Sequence, residues 1–121
     1  MSLQEAKESA ILEFAQINGL IEAAGPDGAR EILEAFWRST ADLMNELNSQ
    51  VSGDLEAASK TAHAIKGSAS NVGAARIAAC ARVAEEACRS NDASEAATAA
   101  EALASSMDAT RSAFEEHFKA A

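Results

Sequence analysis

Apolar residues recur along the chain at helical spacing, and turn signals cut the pattern into five segments. Ser2-x-x-Glu5 reads as a capping box that opens a first helix. Ala6, Ala10, Phe14 and Ile17 follow on one face, and Asn18-Gly19 is its expected stop. Gly25-Pro26-Asp27-Gly28 reads as a turn, with Asp27 a candidate N-cap. The second helix carries Ile32, Phe36, Leu43 and Leu47, its stripe widened by Leu33 and Met44, and Ser52-Gly53-Asp54 is the next break. In the third helix Leu55, Ala58, Ala62, Ile65 and Ala69 form the stripe, and Asn71-Val72-Gly73 ends it. The fourth spans about Ala74 to Arg89, with Ile77, Cys80, Ala84, Ala87 and Cys88 inward. Asp92-x-x-Glu95 opens the last, whose stripe runs Ala96, Ala100, Leu103, Met107, Thr110, Phe114 and His117 or Phe118. Four long amphipathic helices with short turns predict an antiparallel up-down bundle, the short first helix capping one end.

Composition agrees. Of 121 residues, 31 are Ala, nine are Val or Ile, and there is one Pro and no Tyr. That balance favours helix over strand, and the length suits a single domain over residues 1–121. So many inward alanines imply closely spaced helices and a thin core. No apolar run approaches the roughly 20 residues a membrane span needs, and Met1-Ser2-Leu3-Gln4-Glu5 lacks the start of a signal peptide. A cytoplasmic protein with no membrane partner is the expectation. Cys80 and Cys88, eight residues apart on one helix, would be separated by ~12 Å, too far for a disulfide. They read as buried thiols.

The net charge is −9, which argues against a nucleic-acid partner. It is unevenly spread. From Lys60 to Arg89, five basic residues (Lys60, Lys66, Arg76, Arg82, Arg89) face two acids (Glu85, Glu86), giving +3 against −12 for the remainder. A basic island in an acidic chain suggests a local anionic ligand or an acidic partner surface.

His63 falls within that island. On a wheel at 100° per residue the third helix's stripe centres near Ala62 and Ala69, and His63 lies roughly 130° away, facing solvent. Its neighbours on that face are Glu56, Ser59, Lys60, Lys66, Gly67 and Ser70, of which the nearest are small. Gly67 costs about 1 kcal/mol of helix propensity relative to Ala, so a glycine one turn past an exposed imidazole suggests that another surface comes close. A neutral imidazole is a competent nucleophile at pH 7, and Lys66 could offset a phosphoryl charge. Taken alone, a surface His beside a Lys is ordinary.

Residues 62–85 carry more than that pair. His63-x-x-Lys66-Gly67-Ser68, then Gly73-Ala74, then Ile77, Cys80 and Val83 fall in register with the motif of the histidine-containing phosphotransfer (HPt) family, which this stretch strongly resembles. The motif covers about a fifth of the chain, and the predicted bundle resembles the family over its full length. The resemblance implies a phosphorelay intermediate. His63 would take a phosphoryl group on Nε2 from a receiver-domain aspartate or a kinase and pass it to the receiver of a response regulator. Lys66 would be the charge partner, Gly67 would leave room for the receiver, and Gly73 would help shape the site. Family members carry no ATP site and no metal or cofactor of their own, the receiver supplying Mg²⁺. Many have a Gln or Glu on the next helix that bonds the other ring nitrogen; the matching position is Glu85, with Ala84 where many members have Glu. Such a bond would hold Nδ1 protonated and free Nε2.

Ser59, Lys60, Ser70 and Arg82, with Gly67 and Gly73, are the candidate partner-binding positions. Arg82, Glu85 and Arg89 share one face of the fourth helix and could extend a docking surface towards an acidic receiver rim. His117, beside Phe114 and Phe118, reads as structural. No His-Glu-x-x-His, Cys-x-x-Cys, glycine-rich phosphate loop or nucleophile elbow is present, and Glu115 and Glu116 are too close to His117 for a bundle metal site. The expectation is a phosphoryl carrier rather than an enzyme, monomeric, serving receivers and a sensor or hybrid kinase. The alternative is an HPt-like scaffold or inhibitor that binds them without carrying phosphate.

Overall fold

Ser2 opens the first helix as expected. Its hydroxyl accepts from the Glu5 amide at 3.1 Å and its own amide donates to the Glu5 carboxylate at 3.2 Å. The structure, a computed structural model, describes residues 1–120. The helices are α1 (Leu3–Glu8), α2 (Phe14–Gln50), α3 (Leu55–Val72), α4 (Ala75–Arg89) and α5 (Ala93–Ala120). There is no strand among the described residues. Helices α2 to α5 form a four-helix bundle in which α2 packs on α3, α3 on α4, α4 on α5, and α5 closes on α2; α1 rests on α4.

The first boundary differs from expectation. Helix α1 ends at Glu8, and α2 begins at Phe14 and runs straight through Asn18-Gly19. Distant partners take up the backbone between them. The Glu13 amide donates to the Gly73 carbonyl at 2.9 Å, and the Arg76 amide to Ile11 at 3.3 Å. The Arg76 guanidinium donates twice to the Ser9 carbonyl, at 2.6 and 2.9 Å. Gly25-Pro26 is a kink within α2 rather than a turn between helices. Gly25 alone is non-helical, at φ 78° and ψ 164°. Pro26 then restarts the helix, where its fixed φ and missing N–H are tolerated. That makes Gly25, not Asp27, the residue outside the helical turn.

The core stripe of α2 is Ala29, Leu33, Phe36, Trp37, Thr40, Met44 and Leu47, so Ile32 faces outward and Leu43 is half-buried. Trp37 packs edge-on to Phe36 and Phe114. On α3 and α4 the buried positions are mainly small: Ala58, Ala62 and Ala69, then Cys80, Ala81, Ala84, Ala87 and Cys88. Both thiols are unpaired, and burial pushes their pKa values up. Phe118 rather than His117 completes the α5 stripe; His117 bonds Asn18 at 3.0 Å and lies against Phe14.

Gly73 ends α3 at φ 84°, in the left-handed region, and is buried. A Cβ there would lie 2.7 Å from Ile17 Cγ1 and 2.9 Å from the Glu13 carbonyl oxygen. The expectation that Gly73 belongs to a partner-binding surface is therefore corrected. It lies under the 13–17 segment and lets that segment seal the α3–α4 turn.

Candidate functional site

Helix α3 turns its apolar stripe into the bundle and leaves the His63 side chain 64% exposed. Across from it, Glu85 of α4 is buried, its side chain 3% exposed, yet it is ionisable. Three cationic or proton-bearing groups converge on this one carboxylate. His63 Nδ1 lies 2.8 Å from Oε2, Lys66 Nζ 2.7 Å from Oε1, and an Arg89 guanidinium nitrogen 3.2 Å from Oε2.

Burial by itself would raise the Glu85 pKa. The hydrogen bonds from Lys66 and His63 and the charges of Lys66 and Arg89 outweigh it, and hold the carboxyl below its ordinary value. An ionised carboxylate only accepts, so the proton between the two residues belongs to Nδ1. Nε2 is then the basic nitrogen of the ring, and no side chain among the described residues bonds it. The arrangement fixes one tautomer and aims a lone pair away from the carboxylate.

The other expected site residues are distributed unevenly. Ser59, Lys60, His63, Glu85 and Arg89 line one cleft of about 230 Å³. Lys66 sits on the opposite side of the ring by helical position and is committed to Glu85. Gly67 is exposed, and a Cβ there would meet nothing within 4 Å. Ser70 is exposed two turns beyond His63. Arg82 is exposed and pairs with Glu86 at 3.2 Å, not with Glu85. Arg76, counted in the basic island, is turned to Ser9 and serves the fold. Arg89, expected on a docking surface, is instead tied to Glu85, a bond that the i, i+4 spacing permits. A separate groove of about 290 Å³ between α2 and α5 is floored by Trp37 and Phe114, with Arg111 over Trp37 and Arg30 over Phe118. It holds no His or Cys.

The Hpt domain family model matches residues 31–113, more than half of the chain. The chain belongs to the Hpt domain family. Solved structures agree in fold. A histidine-containing phosphotransfer protein from Medicago truncatula superposes with a TM-score of 0.81 at 19% identity, over 97% of this chain and 86% of that one. One from maize gives 0.79 at 19% identity, over 98% and 96%. No curated protein matches in sequence at a significant level. The family supports a phosphotransfer role in phosphorelay, as a phosphocarrier working with kinases and response regulators. No described helix of this Hpt domain is long and apolar enough to cross a membrane. Nor do its described residues gather three His, Cys, Asp or Glu side chains able to hold a metal ion.

Proposed function

We propose that this Hpt domain is a phosphorelay intermediate with His63 as its phosphoacceptor. The carrying observation is the Nδ1–Glu85 bond at 2.8 Å on a ring that is 64% exposed. The Nε2 lone pair attacks the phosphorus of a receiver's aspartyl phosphate. The Nε2–P bond forms as the P–O bond breaks, and the electron pair leaves with the aspartate carboxylate. The Nδ1 proton stays on the ring against Glu85, whose negative charge offsets the positive character the ring acquires. Onward transfer reverses these steps on a second receiver. Lys66 and Arg89 keep Glu85 ionised. The open space over Gly67 and the exposed Ser70 and Arg82 suit the approach of a receiver, with Ser59 and Lys60 at the edge of the cleft. Mg²⁺ belongs to the receiver, and this chain needs no cofactor. The protein works in the cytoplasm as a monomer, with receivers and a sensor or hybrid kinase as partners.

Incubation with a phosphorylated receiver is expected to label the protein with acid-labile, base-stable phosphate, and His63→Gln to abolish the label. Label retained in that variant would remove His63 from the reaction. Receiver binding with no label on the wild type would favour the scaffold reading.

A further inference from the structure

Two cations near His63 are already spoken for by one carboxylate. Lys66, 31% exposed, donates to Glu85 Oε1 at 2.7 Å, and Arg89 reaches Oε2 at 3.2 Å beside the ring's own Nδ1. Drawing Lys66 away to a phosphoryl group on Nε2 would strip a cation from a buried carboxylate, an unfavourable exchange. Lys60 is differently placed. It is exposed, lies one turn before His63 on the same face of α3, lines the same cleft, and pairs with no carboxylate among the described residues. We propose that Lys60, rather than Lys66, is the cation that meets the phosphoryl oxygens on His63, while Lys66 acts through Glu85 as a positioning residue. The proposal rests on His63 being the acceptor.

Phosphoramidate tests it without a partner. Its P–N bond breaks as the Nε2–P bond forms, and ammonia leaves. Lys60→Ala is expected to label roughly two- to fivefold more slowly than wild type, the range of an exposed ion pair, and Lys60→Arg to restore the rate. A rate alone does not separate touching from positioning, so the phosphorylated proteins are also titrated by ³¹P NMR. A neighbouring ammonium favours the dianion. Its loss in Lys60→Ala should raise the second phosphoryl pKa by about 0.3–0.7 unit, whereas Lys66→Ala should leave it in place. A wild-type rate and an unmoved titration in Lys60→Ala, or a raised pKa in Lys66→Ala instead, overturns the assignment to Lys60 and leaves His63 as acceptor. Wild-type protein that takes no label overturns the acceptor reading, and Lys60 with it.

Discussion

Glu85→Gln separates the charge of the α4 carboxylate from its shape. Glutamine keeps the volume, but it offers one oxygen where three donors now share two, and its NH₂ group faces Nδ1–H or an ammonium. Nominal values of about 1.5–3 kcal/mol per charge-assisted bond overstate the loss, because His63 is 64% and Arg89 68% exposed. Only Lys66, 31% exposed, approaches that range, and the variant also avoids burying a charge. A net destabilisation of about 1 kcal/mol follows, a fall of roughly 3–5 °C in Tm for a chain of this length. The reactivity effect is separate. A glutamine oxygen can still accept from Nδ1–H, but Lys66 and Arg89 contest it and it carries no charge to offset the ring, so the tautomer is held less firmly and phosphoramidate labelling should drop about threefold to tenfold. Nitrogen-15 chemical shifts of His63 report the tautomer directly, and a thermal melt reports the fold. The carboxyl of Glu85 lies below its ordinary value of 4.5. Its stabilisation is therefore complete above that pH and is lost on acidification, as the unfolded chain takes up the proton first and the native one later. The Gln variant should lack that part of the acid-induced loss. A variant that keeps the Nδ1–H tautomer and labels at the wild-type rate would refute the argument.

Gly73→Ala should cost about 2–3 kcal/mol in a denaturant titration, since φ is 84° and the new methyl would meet Ile17 at 2.7 Å. Gly67→Ala should act oppositely on stability, adding about 0.5–1 kcal/mol because nothing lies within 4 Å of the new carbon, while slowing transfer from a receiver and not from phosphoramidate. Equal slowing with both donors would place the effect inside this chain. Thr110 carries a fully buried hydroxyl with no partner among the described residues, so Thr110→Val should raise stability by about 1 kcal/mol; a destabilised variant would mean that the hydroxyl is satisfied in solution.

The site was legible because it is local. His63, Lys66 and Gly67 lie within about one turn of α3, so helical spacing puts them on one face, and the register of the family motif supplies Glu85 on the next helix. The entry to the bundle was not. Ser9 to Glu13 leave the helix because their backbone groups pair with Gly73 and Arg76, about 60 residues away, and no local signal encodes that. Asn18-Gly19 looked like a stop, but the Asn18 side chain is drawn to His117 and α2 continues. The outward turn of Ile32 has the same origin. Leu33 and Ile32 are equally apolar, and packing of Trp37 against Phe114 on α5 selects which face goes in.

The small residues between α3 and α4 act as a ruler. Helix axes approach as closely as their facing side chains permit, and the buried side chains of these two helices are mostly small, six of them alanines. A glutamate is short, and it spans from one helix to an imidazole on its neighbour only because the gap is narrow. Enlarging Ala62 or Ala84 would thus act on the reaction from inside the bundle, parting ring and carboxylate without altering either.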